Sequence, residues 1–282
     1  IYLCCGLSFL DAIAHAMSTL GTGGFSLYDD NAMHFDNPAL EGWMTFFMIL
    51  AGGNFGLYYR VWKKGPRVLR NNTEFQAYLV ILAAAMLLIT VNLVDAMGMQ
   101  PVEAFRYASF QVGSLSTTGF VSADFDQWPA FSKGVLMMLM ISGGCAGSTG
   151  GGLKVIRILL LFKQGNRELK RLVHPNAVYS IKLGNRALPE RILEAVWGFF
   201  SAYALVFIVS MLAIIATGVD DFSAFASVVA TLNNLGPGLG VVADNFASMN
   251  PVAKWILIAN MLFGRLEVFT LLVLFTPTFW RE

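Results

Sequence analysis

The chain has 282 residues, of which 56% are apolar even with the 27 glycines left out and only 13% are charged, about half the charged share of an ordinary soluble domain. Mean hydropathy is +0.61 and the net charge is +1. This composition excludes a disordered chain, a coiled coil and a nucleic-acid binder, which need more charge, and a disulfide scaffold, which needs more than three cysteines. What remains is an all-α polytopic membrane protein. Cys4, Cys5 and Cys145 are expected to pack as small apolar residues, because one is left over and the other two are adjacent. The start, Ile1-Tyr2-Leu3, has no basic n-region or cleavage site, so it is not a signal peptide and reads as part of something longer.

In chain order, the first apolar stretch runs from Ser8 to Leu20, too short to span a bilayer, with Ser8 and Asp11 spaced as a helix start. Acidic residues Asp29, Asp30 and Asp36 follow, then a run long enough to span at Gly42 to Tyr59. A basic connection carries Arg60, Lys63, Lys64, Arg67 and Arg70. A second span is expected at Phe75 to Val94, then a second short stretch at Val102 to Ser116, preceded by Pro101 and containing Glu103 in its first turn. Asp124 and Asp126 lead to a third span at Gly134 to Leu153. Nine more basic residues lie between Lys154 and Arg191, so that two connections hold 14 of the 19 lysines and arginines. By the positive-inside rule both face the cytoplasm, and the acidic connections face outward. A fourth span covers Ala195 to Val219. A third short stretch at Phe222 to Asn233 has Asp221 as its expected cap, Asp220, Asp221 and Asp244 form the last acidic set, and a fifth span covers Trp255 to Phe275, interrupted by Arg265 and Glu267.

The three short stretches read as half-helices entering from outside, with a surface amphipathic helix disfavoured by their few polar residues. Each ends in a related segment: Ser18 to Phe25, Ser114 to Phe120 and Thr231 to Pro237. The repeating unit is therefore span, half-helix, glycine turn, span. Non-helical backbone at membrane depth must be buried in protein or line a wet cavity. A half-helix entering from outside aims its partly negative C-terminal end at the membrane centre, and glycine turns let successive carbonyls replace the hydration shell of a cation. The indicated chemistry is cation permeation. Glycines that merely permit close helix packing are the plainer alternative, weakened by the threefold recurrence.

These residues resemble the Trk/Ktr/HKT superfamily of potassium transporters. Thr22-Gly23-Gly24-Phe25, Thr117-Thr118-Gly119-Phe120 and Asn234-Leu235-Gly236-Pro237-Gly238 resemble its filter segments, and Gly143-Gly144-Cys145-Ala146-Gly147-Ser148-Thr149-Gly150-Gly151-Gly152-Leu153-Lys154 resembles the signature of its bacterial TrkH-type branch. The resemblance covers essentially the whole chain. It implies four repeats of span, half pore helix, filter turn and span around a central ion pore, of which three are visible. Residues 1–63 correspond to the second repeat, 71–163 to the third with a broken inner span, 164–189 to a cytoplasmic connection and 190–282 to the fourth, with the first absent from this chain. The implied filter residues are Thr22, Gly23, Gly24, Thr117, Thr118, Gly119, Asn234, Leu235 and Gly236, with potassium as the transported ion rather than a resident cofactor. Glycine at the key position of all four repeats goes with potassium selectivity in the family, and Gly24, Gly119 and Gly236 are the three readable here.

The six glycines in residues 143–152 would cost several kcal/mol as helix, at about 1 kcal/mol each, so the third span should break there. A Walker-type phosphate loop needs Gly-Lys-[Ser/Thr] in series, which Leu153 interrupts. The family places its gate in this loop. A static kink is the competing reading. Arg265, about ten residues into a span, is costly unless it faces water or a partner. By resemblance it faces the pore beneath the filter, where it would repel ions; pairing with Glu267 is weakened because residues two apart point in different directions on a helix. The resemblance further implies a homodimer in the bacterial inner membrane and a cytosolic nucleotide-binding regulatory ring of the TrkA-like kind, which is the sole route for a nucleotide. An intramembrane enzyme lacks a motif here: His15, His34 and His174 are scattered and there is no HExxH. A secondary transporter with broken helices for another cation or small solute is the closer alternative.

Overall fold

Side-chain caps mark the starts of six of the α-helices among the described residues, at Ser8, Asn37, Asn54, Asn72, Asp220 and Asn250. The computed structural model describes residues 1–282 apart from Asn185, Asp244, Phe275, Arg281 and Glu282, and apart from the side chains of Arg186 and Thr278. The Asp244 of the outer acidic set and the end of the fifth apolar run therefore lie outside the described residues.

The first half-helix, α1 (Phe9–Leu20), starts at Ser8, whose Oγ accepts the Asp11 N–H at 3.2 Å and donates to the Asp11 carboxylate at 2.7 Å. The second, α6 (Pro101–Thr117), starts with Pro101 at its first position. The third, α10 (Asp221–Leu232), is capped by Asp220, which accepts the Ser223 N–H at 2.9 Å. Asp221, the cap expected from sequence, is instead the first helical residue, because the carboxylate must lie three residues ahead of the amide it captures.

Among the described residues, two unbroken helices are long and apolar enough to cross a membrane. These are α5 (Thr73–Met97) and α9 (Glu190–Ile215), of 25 and 26 residues, roughly 37 Å each at 1.5 Å per residue. The other three expected spans are broken. The first is split into α2 (Pro38–Ala51) and α3 (Phe55–Lys64) at Gly52-Gly53-Asn54, where Asn54 caps the new helix by accepting the Leu57 N–H. This corrects the reading of one continuous span at Gly42 to Tyr59: two consecutive glycines followed by an N-cap residue end one helix and start another. The third ends with α7 (Ala130–Ser142) and resumes as α8 (Val155–Val173) after the glycine-rich loop. The fifth is also not one span. It folds into α11 (Pro251–Arg265) and α12 (Val268–Leu274), bent by 109°, with Glu267 at φ +62° in the corner. A four-residue helix, α4 (Arg67–Arg70), joins α3 to α5, and β1 (Lys182–Leu183) pairs antiparallel with β2 (Arg186–Ala187) after α8.

The half-helices α6 and α10 lie at the centre. Ala108 and residues 110–117 of α6 are buried, as are nine residues of α10, which excludes a surface amphipathic helix for these two. Around α6 pack Tyr78, Leu82, Ile89 and Leu93 of α5 and Leu136 of α7. Around α10 pack Phe199, Tyr203 and Ile214 of α9 and Leu257 of α11. Helix α1 packs Ala12 near Tyr2, Met44 and Met48 and leaves Phe9, Leu10 and Met17 exposed. Single polar bonds tie the layers: Ser132 to Asn92, Ser210 to Asn260 and Tyr203 to Asn233, at 2.7, 2.7 and 3.1 Å. All three cysteines are free, and only Cys145 is buried; Cys4 is exposed, against the expectation that it packs.

Candidate functional site

Each half-helix runs out into a turn closed by an amide five residues on. The Gly23 N–H donates to Ser18 O at 2.8 Å, the Gly119 N–H to Ser114 O at 3.0 Å, and the Leu235 N–H to Ala230 O at 2.9 Å. Positive φ follows one residue later at Gly24 (+68°) and Gly236 (+90°), and falls on the closing residue itself at Gly119 (+99°). The first and third turns carry a second left-handed residue two positions earlier, Thr22 (+51°) and Asn234 (+57°), which the second turn lacks. Thr117 and Thr118 are fully buried, whereas Gly236 is exposed.

The three turns abut in one rotational sense. A Cβ built on Gly24 would stand 2.5 Å from the Thr118 carbonyl oxygen, and one built on Gly119 would overlap the Leu235 carbonyl oxygen. In both cases the carbonyl belongs to the residue just before the next turn's glycine. Main chain meets main chain, so these glycines are required by close approach as well as by φ. The same face of Gly236 meets nothing within 4 Å among the described residues.

Beneath them runs the loop of residues 143–154. It touches the ends of all three half-helices. Thr149 Oγ1 donates to Leu20 O of α1 at 3.2 Å, a Cβ on Gly150 would sit 2.8 Å from the Thr117 methyl of α6, and Gly151 lies against the Asn233 carbonyl after α10. The loop is pinned at its near end by four bonds. The Cys145 N–H donates to Gly52 O at 2.8 Å, the Ala146 N–H to the Glu74 carboxylate at 2.5 Å, Asn54 Nδ2 to Ala146 O at 2.5 Å, and the Phe55 N–H to Gly147 O at 3.2 Å. The break between α2 and α3 thus receives the loop. At its middle two cations hold it: the Lys154 ammonium donates to Gly150 O, and Arg265 Nη1 to Thr149 O at 3.1 Å.

Below the loop lies a cavity of 290 Å³ lined by Gly147 to Gly152, Lys154, Arg157, Tyr203, Arg265 and Glu267, among others. Three cations and one carboxylate make its wall net positive. Glu267 pairs with Arg157 at 2.7 Å, and that guanidinium also lies 3.8 Å from the centre of the Phe199 ring. Arg265 is therefore turned to the loop rather than to Glu267.

Of the residues singled out from sequence, the structure brings together the nine turn residues, the loop and Arg265. Sequence reasoning missed Glu74, Asn54 and Lys154 as loop anchors. Gly52-Gly53-Asn54 carried a readable signal for Asn54, whereas Glu74 looks like an ordinary helix-start acid and gave none. The histidines do not converge: His15 is buried between Asp11 O and Ser26 Oγ, while His34 stacks on Tyr28. Among the described residues no group of three His, Cys, Asp or Glu could hold a metal ion.

Comparison with known proteins gives the same architecture a family. The family described as "TrkH: Cation transport protein" matches residues 6–281. The Trk system potassium uptake protein TrkH of Salmonella typhimurium is 63% identical over 284 residues, covering 98% of this chain and 58% of the relative, and that of Escherichia coli K12 is 63% identical over 280 residues with the same shares. The crystal structure of the potassium transporter TrkH from Vibrio parahaemolyticus superposes with a TM-score of 0.94 at 50% identity, covering 99% of this chain and 61% of that one. The chain thus spans about three-fifths of the length of these relatives. With its entire helical order matched and its turns and glycine loop in place, the chain belongs to the TrkH family of cation transport proteins.

Proposed function

We propose that this chain contributes three of four walls to a potassium-conducting pore in the bacterial inner membrane. The observation that carries the proposal is the rotational order of the turns, Gly24 against Thr118 and Gly119 against Leu235, which leaves the equivalent face of Gly236 open. A fourth turn between Gly236 and the turn of Gly24 closes the ring. The repeat boundaries are then 1–63, 71–163 and 190–282, with 164–189 as a cytoplasmic connection. Three half-helix C-termini aim partial negative charge at one place, which favours a cation there. Carbonyls of Thr22, Gly23, Gly24, Thr117, Thr118, Gly119, Asn234, Leu235 and Gly236 supply the oxygen ligands that replace the hydration shell of the ion.

The loop from Gly143 to Gly152, with Arg265, is the gate in this reading. It lies across the ends of all three half-helices and above a cavity with a net positive wall, so an ion leaving the turns meets both a steric and an electrostatic barrier. Relatives of this chain are named potassium uptake proteins, which supports potassium as the ion. A homodimer and a TrkA-like cytosolic ring complete the proposal.

The test is ion flux through the full-length protein in liposomes. Potassium influx should exceed sodium influx, and uptake of organic solutes should be absent. Solute uptake with no potassium flux would favour a broken-helix secondary transporter instead.

A further inference from the structure

A second polar site lies outside the proposed pore. Helix α8 leaves the loop and carries Lys163, Asn166, Arg167 and Lys170 at helical spacings of three, four and seven, so they share one face. The chain then folds back along this face through Tyr179, Ser180 and Lys182. Between the two segments is a pocket of 220 Å³.

The carboxylates around this pocket are already committed. Buried Arg167 donates to Glu190 at 2.6 Å and to Glu168 at 3.1 Å, and Glu168 also takes Arg171 at 3.3 Å. Lys163, Lys170 and Lys182 have no carboxylate within 4.0 Å among the described residues. Lys163 is held in place by donating one hydrogen to the Lys182 carbonyl at 2.7 Å, which leaves two for a ligand. Three lysines with Asn166, Tyr179 and Ser180 thus line one space. Converging like charges repel, and a ligand rich in anionic oxygen relieves that cost. The space holds about seven waters at roughly 30 Å³ each, enough for a phosphate ester.

The neighbouring face of α8 points to the source of that phosphate. Phe162, Leu169, Leu172 and Val173 are all exposed there, 65 to 80%. A basic face beside an exposed apolar stripe is the pattern of a helix lying at a membrane interface, and basic pockets on the cytoplasmic side suit anionic headgroups. We propose that Lys163, Lys170 and Lys182, with Asn166, Tyr179 and Ser180, form a phosphate-binding pocket occupied by the headgroup of an anionic phospholipid. The site does not depend on ion conduction.

The experiment uses the full-length protein in mild detergent. Retained phosphatidylglycerol is counted by native mass spectrometry, and thermal midpoints are read with phosphatidylglycerol vesicles or with inorganic phosphate. The triple variant K163Q/K170Q/K182Q should retain at least threefold less lipid and lose the lipid-induced midpoint shift. The control K63Q/K64Q, in the other basic connection, should behave as the parent. If the triple variant folds poorly, the single variants K170Q and K182Q, whose ammonium groups make no hydrogen bond among the described residues, should each lose part of the shift. Loss of a phosphate-induced shift with lipid retention intact would keep the pocket but make free phosphate its ligand. Unchanged lipid and phosphate responses would overturn the site, and so would a variant that loses only binding of the cytosolic ring, which would give this surface to a protein partner.

Discussion

Arg265 Nη1 donates to the main-chain carbonyl of Thr149 across 3.1 Å, joining the last residue of α11 to the middle of the glycine loop. The 109° bend that follows Arg265 keeps Glu267 away from it and beside Arg157. Replacing Arg265 by Ala removes both a loop anchor and a fixed cation from the cavity below. A hydrogen bond from a charged group contributes about 1.5 to 3 kcal/mol, discounted to about 1 kcal/mol because the side chain is exposed. Potassium flux of the full-length variant in liposomes should therefore rise about fivefold. Flux at or below the parent level in correctly folded protein would assign Arg265 a purely structural role.

The turns give a comparison internal to the protein. Gly119→Ser forces a side chain into the Leu235 carbonyl, so the second and third turns must separate. The sodium to potassium permeability ratio should rise. Gly236→Ser meets no neighbour among the described residues of this chain. If a fourth turn stands beside Gly236, the full-length G236S protein should lose discrimination as strongly as G119S. A normal ratio in G236S would leave the proposed fourth wall without its contact.

Helix α2 is tied to α6 by a buried carboxylate. Arg106 donates from Nε and Nη2 to both oxygens of Glu41 at 2.8 and 2.7 Å, and from Nη2 to Asp36 at 2.8 Å. The Glu41 side chain is 4% exposed and that of Asp36 is 82% exposed. Breaking the inner pair with Glu41→Ala leaves Arg106 without its main partner, at a cost of about 3 kcal/mol. Asp36→Ala should cost about 0.5 kcal/mol or less. Thermal midpoints of the two variants should separate by several degrees, with E41A lower; equal midpoints would show that the pair contributes little.

Much of this architecture is local chemistry and was readable from sequence. Ser8 with Asp11, and Pro101 with Glu103, announce α1 and α6 because a cap depends only on residues a few positions apart. The caps also show the resolution of such reading, since Asp220 and Asp221 differ by one place and only the structure tells which carboxylate reaches the Ser223 amide. Apolar length, by contrast, concealed two breaks. The local signal of Gly52-Gly53-Asn54 is completed by a distant segment, Cys145 to Gly147, which supplies hydrogen-bond partners for the opened backbone. The bend after Arg265 likewise brings Glu267 to Arg157, a partner more than a hundred residues earlier. The anchoring role of Glu74 was invisible for the same reason, because its partner amide, Ala146, is 72 residues away.

That long-range anchoring separates a movable barrier from a fixed kink. Deleting Ala146 to Gly150 removes Thr149, which bonds α1, Gly150, which lies against Thr117 of α6, and the acceptors for Lys154 and Arg265, while the bonds that close the three turns involve none of them. The outer turns should stay in place and ions should meet less obstruction. Basal potassium flux should rise, and its dependence on the cytosolic partner should fall. Glu74→Ala provides a milder version, since it strands the Ala146 amide at a cost of about 1 to 3 kcal/mol without shortening the chain. It should raise basal flux by less than the deletion. Flux would be measured with and without the partner and normalised to folded protein in the membrane. If the loop is a static support, both variants should assemble poorly or conduct less. A well-folded deletion variant with parental basal flux and full partner dependence would remove the loop from the gate, because nothing else in the chain lies across the ends of all three half-helices among the described residues.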